Sequence, residues 1–186
     1  MDIFSHAFWT AVASKTANSK IKYFRGKKPI NAVWAAMWGI APDIFAFAPI
    51  FISAALVFLL GTGDTTVFQI PHPSDMEPTS KNELFIFKLT RILYNLSHSA
   101  IIFAVIFALV YIAFRRVRLE MLGWLFHIVI DIPTHSYKFY PTPVLWPING
   151  WEFNGVSWST PWFMAVNISA IILVSLFYFI RRKKKI

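Results

Sequence analysis

Four apolar runs separated by clusters of basic residues constrain this chain more than any other feature. The runs cover residues 32–60, 100–114, 119–133 and 162–180. A helix needs about 20 apolar residues to cross the ~30 Å hydrocarbon core of a membrane, and the runs approach or exceed that length. With 56% hydrophobic and 15% charged residues, the chain is far more apolar than a soluble domain. The sequence therefore predicts an all-α, polytopic membrane protein with about four transmembrane helices in one domain, residues 1–186.

The basic clusters predict the orientation of the chain. They occupy residues 15–28, 115–118 and 181–185, and each borders an apolar run. Cytoplasmic loops of membrane proteins carry the excess of Lys and Arg. We therefore expect a multi-pass protein of the cell (inner) membrane with its basic loops and C-terminus in the cytoplasm. Residues 61–96 and 136–161 then form extracytoplasmic loops, and their Pro and Gly content argues against long regular helices.

Composition also excludes several classes of function. The net charge of +9 comes from clusters that flank apolar runs, so no nucleic-acid partner is expected. The chain has no cysteine, which excludes disulfides and thiolate metal sites. The N-terminal stretch "MDIFSHAFWTAVAS" lacks the basic start of a signal peptide, so we expect it to be retained as a short helix over residues 2–14.

The first apolar run contains a polar interruption. Residues 31–60 would form a helix of roughly 45 Å, too long for a simple crossing. Pro42 and Asp43 lie in its middle. Because proline disfavours the helical conformation of the preceding residue and removes a backbone donor, we expect a helix broken at Pro42–Asp43. An aspartate at a helix break within a membrane indicates a functional site.

Ionisable residues from separate segments fall at similar depths. Counting ~1.5 Å of rise per residue from the basic clusters places them between about 12 and 26 Å into the membrane. His127, Asp131 and His135 also share a helix face, because they are four residues apart. A lone intramembrane histidine is often a packing residue, but several costly groups at one depth need a shared partner. The predicted metal ligands are His6, Asp43, His98, His127, Asp131 and His135.

Other polar residues have weaker claims to a role. His72, in the loop "IPHPSD", is interpreted as a solvent-exposed histidine. Arg91, Tyr94 and Asn95 precede "LSHS" and fit either the binding of an anionic substrate group or ordinary interfacial positions.

The motifs "MDIFSH", "APD", "YNLSHS", "LFHIVIDIPTHS" and "GVSWSTPWF" resemble the YdjM/DUF457 family of membrane-bound metal-dependent hydrolases in kind and in order. The resemblance implies that the six ligands named above form the metal site. More distantly, the pattern is similar to helical zinc-dependent phospholipase C and P1-type nucleases. The second H-x-x-x-E pair and the N-terminal Trp ligand of those enzymes are missing here. One or two ions are therefore expected instead of three, with zinc first and manganese or iron as alternatives.

These observations predict a metal-dependent hydrolase that acts on an ester or phosphoester of a lipid or other amphipathic substrate. Asp43 and Asp131 are the candidate catalytic residues, either bridging ions or holding the activated water. The site is expected to open to the extracytoplasmic side. An intramembrane peptidase is disfavoured, because no H-E-x-x-H occurs. A metal or proton transporter, and a non-catalytic membrane protein with a structural metal, are the remaining alternatives.

Overall fold

The computed structural model describes residues 1–20, 29–60 and 85–183, and most of these residues are helical. A short 3₁₀ turn, Leu119–Met121, precedes the fifth of six α-helices. These are α1 (Ile3–Lys20), α2 (Ala32–Leu60), α3 (Phe85–Ser97), α4 (Ala100–Phe114), α5 (Leu122–Thr134) and α6 (Pro161–Lys183). The all-α prediction is confirmed.

Two of these helices, α2 and α6, are long and apolar enough to cross a membrane. A third span results if α3 and α4, which meet at a bend of 62°, are counted as one broken crossing. The prediction of about four spans counts the segment that forms α5 as a separate crossing. With 13 residues, however, α5 is only about 20 Å long and does not reach across a ~30 Å core.

The predicted break at Pro42–Asp43 is wrong, because α2 runs without interruption from Ala32 to Leu60 and contains both Pro42 and Pro49. Proline removes one backbone donor, but neighbouring helices in a membrane bundle compensate for such losses. Asn31 precedes the helix and caps it, because its side-chain oxygen accepts hydrogen bonds from the backbone N–H groups of Val33 (3.0 Å) and Trp34 (3.2 Å).

The actual break lies between α3 and α4. Residues 85–96 were expected to belong to a loop but form most of α3, while residues 61–84 lie outside the described part of the chain. Ser99 has an extended backbone and caps α4, because its Oγ accepts hydrogen bonds from the N–H groups of Ile101 and Ile102. The break therefore places His98 at the junction of two helices.

Residues 136–160 are irregular, as predicted, and form a segment that we call the outer cap. Its backbone N–H groups at Gly155, Val156 and Trp158 donate to the last carbonyls of α5 and its C-cap residue at 2.8–2.9 Å. The cap also accepts hydrogen bonds from the α3–α4 break, where the N–H of Ala100 donates to the Val144 carbonyl at 2.9 Å. One segment thus fixes both the end of α5 and the break.

The pattern of burial is the reverse of that in a soluble domain: many polar side chains are buried and many large apolar side chains are exposed. The fully buried residues include histidines, an aspartate, serines and threonines, whereas Phe58 and Phe4 are each 86% exposed. Exposed apolar surface of this extent is typical of contact with a partner or a membrane. Asn167 is a buried polar residue of α6. Its side chain bonds Trp9 (2.9 Å) and Ser5 (2.7 Å) and joins α6 to α1.

Two glycines allow α2 to approach α1 and α5 closely. A Cβ at Gly39 would collide with the Thr10 side chain, and a Cβ at Gly123 would collide with the backbone oxygen of Ala35. A side-chain neighbour can rotate away, but a helix carbonyl cannot without moving the helix. Gly123 therefore sets the distance between α2 and α5.

We predict that Gly123→Ala destabilises the folded protein, because the added methyl group pushes α5 away from α2. Overpacking of this kind costs about 1–3 kcal/mol. Thermal unfolding of purified protein in detergent measures the effect. Gly150→Ala is the matched control, because nothing lies within 4 Å of a Cβ there. Equal melting temperatures for the two variants would contradict the close approach.

Candidate metal centre

The structure brings all six predicted ligands to one place. His6 comes from α1, Asp43 from α2 and His98 from the α3–α4 break, while His127 and Asp131 lie on successive turns of α5. His135 follows as the C-cap residue of α5. Each of the six is at most 5% exposed. His72 lies outside the described residues.

The Asp131 carboxylate is the centre of the cluster. Its Oδ1 lies 3.0 Å from His6 Nε2, 3.3 Å from His135 Nε2 and 2.6 Å from the amino group of Met1. Its Oδ2 lies 2.9 Å from His127 Nε2 and 3.5 Å from His98 Nε2. The two oxygens thus face two different groups of nitrogen atoms.

Backbone carbonyls determine which nitrogen of each ring carries the proton. A carbonyl oxygen only accepts hydrogen bonds, so a ring nitrogen beside it must donate. His127 Nδ1 lies 2.6 Å from the Gly39 carbonyl, and His135 Nδ1 lies 2.8 Å from the Tyr140 carbonyl. His98 Nδ1 lies 3.2 Å from the Tyr94 carbonyl. In the neutral form, all three rings therefore direct an unprotonated Nε2 at Asp131, as metal-binding histidines do.

The rings of His98 and His127 meet through their Nε2 atoms. Their Nε2 atoms are 3.0 Å apart, and neither has a hydrogen to donate when Nδ1 carries the proton. Asp43 Oδ1 approaches the same two atoms at 3.5 and 3.7 Å. Two lone pairs and two carboxylates therefore converge on one point. A cation placed among them would turn these repulsions into attractions.

His6 provides an independent sign of a missing partner. Its side chain is fully buried, yet neither ring nitrogen makes a hydrogen bond. The ring stacks on His127 with centroids 3.7 Å apart. Asp131 Oδ2 is also buried without a hydrogen-bond donor. Buried polar atoms are almost always satisfied in native proteins, so these orphaned atoms fit a bound ion.

The donor set fits a divalent cation. Ligand atoms of Asp43, His98, His127 and Asp131 all lie within 4.8 Å of one another and are buried. Imidazole nitrogen and carboxylate oxygen bind zinc and other first-row metals at ~2.0–2.2 Å, so four such donors can surround one ion after small shifts. His6 and His135 lie on the Oδ1 side of Asp131 and could contribute to a second ion.

Several contacts of the site were not foreseen from the sequence. The carbonyls of Gly39 and Tyr140 and the Met1 amino group were not among the candidates. Tyr94 was considered for substrate binding, but it is only 1% exposed and its hydroxyl donates to the Tyr140 carbonyl at 2.8 Å. Its ring also stacks on His98 at 3.7 Å. The spacing of four residues between Tyr94 and His98 in "YNLSHS" is the one sequence signal for this contact.

Arg91 influences the charges of the outer cap. Burial raises the pKa of the Glu152 carboxyl, and the positive charge of Arg91 opposes that rise. Burial likewise raises the pKa of the Tyr140 phenol, again opposed by Arg91. The positive charge of Arg91 on α3 therefore acts on ionisable groups of the outer cap. This is consistent both with binding of an anionic substrate group and with an ordinary interfacial position.

Comparison of the chain with protein-family models, with curated proteins and with solved structures finds no match.

We predict that metal-free protein binds at least one Zn²⁺ or Mn²⁺ per chain. Asp131→Asn should weaken binding by more than about 100-fold, because it removes the carboxylate that contacts every Nε2 atom. Isothermal titration of purified protein measures the affinity. Glu152→Gln is the control and should bind like wild type. Equal affinity of wild type and Asp131→Asn would show that the cluster is a packing arrangement.

Proposed function

We propose that this protein is a membrane-embedded hydrolase that depends on a divalent cation. The observation that carries the proposal is the meeting of His98 Nε2 and His127 Nε2 at 3.0 Å beside two buried carboxylates. The resemblance of the motifs to the YdjM/DUF457 hydrolases points to the same activity. The reaction proposed is hydrolysis of an ester or phosphoester.

The residues of the cluster have separable roles in this proposal. A bound divalent cation supplies Lewis-acid polarisation of the ester or phosphoryl oxygen and lowers the pKa of water toward neutrality. His98 and His127 would hold it through Nε2, while their Nδ1–H groups, bonded to carbonyls, fix the ring orientation. Asp131 contributes the charge that balances the cation. Asp43 approaches less closely and takes the proton of the attacking water.

The two sides of the Asp131 carboxylate allow one or two ions. Oδ2 faces His98 and His127, whereas Oδ1 faces His6 and His135. Each pair of imidazoles, together with the oxygen that it faces, would hold one cation. We propose zinc as the first candidate, because the donors are nitrogen and oxygen only, with manganese and iron as alternatives.

The surroundings of the site favour a lipid substrate. α2 and α6 are apolar enough to cross a membrane, and large apolar side chains cover the outside of the bundle. A substrate that enters between the helices would therefore contact hydrocarbon. A phosphoester lipid combines an apolar chain with the anionic group that a cation binds. We propose that the site opens to the extracytoplasmic side of the cell membrane.

A transporter is the second candidate, because carboxylates and histidines in a proline-containing span also occur in ion pathways. Packing on the other side of the cluster opposes this alternative. Trp124, one turn before His127, packs with Phe103 and Met121 in a buried apolar cluster, and its ring stacks on Trp38. A continuous polar pathway would have to cross this cluster.

We expect purified protein loaded with Zn²⁺ or Mn²⁺ to hydrolyse members of a panel of phosphoester lipids in mixed micelles. Asp43→Asn should lower kcat by about 10²–10⁴-fold without abolishing metal binding, because it removes a proton acceptor. Asp131→Asn should lose both activity and metal. Phosphate release or headgroup release measured by chromatography gives the rates.

Glu152→Gln serves as the control and should keep wild-type kinetics. Absence of metal-dependent hydrolysis across the panel would refute the hydrolase proposal. Metal flux into liposomes, measured with a fluorescent indicator, would support the transporter instead. Stoichiometric metal without either activity would favour a structural ion.

Sidedness can be tested with engineered cysteines, since the chain has none of its own. We predict that Asn149→Cys in the outer cap reacts with an impermeant thiol reagent applied to intact cells. Arg116→Cys should react only after the cells are opened, because the positive-inside rule places residues 115–118 in the cytoplasm. Both positions are exposed. Reversed labelling would place the metal centre on the opposite side.

A further inference from the structure

A cavity of about 300 Å³ lies between α2, the α3–α4 break and α5. Its walls include Trp38, Pro42 and Phe45 from α2, Ile102 and Ile106 from α4, and Trp124 from α5. Phe45 is 50% exposed and Ile106 is 36% exposed, so the cavity opens to the outside of the bundle. We call it the α2–α4 groove.

The lining excludes polar ligands. Every side chain of the groove is apolar or aromatic except that of Ser97, whose Oγ donates to the Tyr94 carbonyl and contacts His98 Nδ1. The indole N–H of Trp124 donates to the Ser97 carbonyl. With these groups already bonded, a sugar or nucleotide would lose its hydrogen bonds to water without replacement. A hydrocarbon chain loses nothing and gains contact.

Residues that line the groove are close in sequence to residues of the metal centre. Pro42 precedes Asp43, Ser97 precedes His98, and Trp124 lies one turn before His127 on α5. Three of the four clustered ligands therefore have a neighbour in the groove wall. The groove therefore lies beside the elements that carry a carboxylate and two imidazoles of the cluster.

We propose that the α2–α4 groove binds one acyl chain of the substrate and places the attached phosphoester at Asp43, His98 and His127. The proposal rests on the hydrolase function proposed above and names its substrate class as an acyl phosphoester lipid. At 300 Å³ the groove is at the small end of ligand sites, which span ~300–1,000 Å³, and suits one chain of a lipid.

The groove differs from the ordinary lipid-facing surface of a helix. Four helices, α2, α3, α4 and α5, contribute to its lining, and α3 and α4 meet there at a bend of 62°. A fixed hollow of this kind selects a chain by volume, whereas annular lipid contacts any apolar face. The two situations predict different distributions of a covalent lipid probe.

The first test uses phosphatidic acid with a diazirine on one acyl chain, incorporated into phosphatidylcholine vesicles that contain the protein. Photolysis should concentrate the label on groove residues of α2 and α4. Ile106→Trp, which fills the groove, should reduce that label at least five-fold. Ile112→Trp is the matched control, because Ile112 lies on the same helix, is 58% exposed and does not line the groove.

Ile106→Phe replaces the tryptophan variant if that variant does not fold, as judged by metal binding. Label spread evenly over the exposed apolar residues of α4 and α6, or unchanged by filling the groove, would overturn the proposal. This readout does not depend on hydrolysis, so it tests the groove even if the protein cleaves nothing.

The second test separates the groove from the hydrolase function. Ile106→Trp should raise KM for a long-chain phosphatidic acid at least five-fold while leaving hydrolysis of p-nitrophenyl phosphate unchanged. Unchanged kinetics with both substrates would refute the groove and keep the hydrolase. Concentrated label in a wild-type protein that hydrolyses neither substrate would refute the hydrolase and retain the groove as an acyl-chain site.

Discussion

The buried carboxylate of Asp131 is the constraint on which the arrangement of this protein depends. An isolated charge in a hydrocarbon-like interior costs several kcal/mol, and Asp131 is completely buried. Nitrogen atoms from α1, from the α3–α4 break and from α5 itself surround it within 3.5 Å. These contacts fix α1, α5 and the α3–α4 break relative to one buried carboxylate.

The positions of most helices followed from local sequence rules, and the exceptions are tertiary effects. Apolar runs gave α4 its bounds and located α5 and α6 to within a few residues. The break predicted at Pro42 is absent because a proline rule considers one chain, whereas neighbouring helices decide whether a bundle tolerates it. The bend instead occurs at Ser99, whose cap role depends on its backbone conformation.

The approach of the candidate ligands could be predicted from the sequence, but the groups that orient their rings could not. Spacing of four residues placed His127 and Asp131 on one face, and the similar depths of Asp43 and His98 suggested their meeting. The structure adds the carbonyls that orient the rings. A carbonyl belongs to every residue, so no sequence pattern distinguishes Gly39 as the acceptor of His127. Such partners are visible only after the backbone has been placed.

The outer cap connects exposed residues such as Asn149 to the donor atoms. Its backbone binds the last carbonyls of α5 and the start of α4, and its Tyr140 carbonyl orients His135. Displacement of this segment by an antibody fragment, a detergent or a neighbouring protein would release the hydrogen bond that orients the His135 ring. An ion held by the cluster would then lose or change a ligand when the cap moves, so a molecule that binds the cap would alter the cluster without entering it.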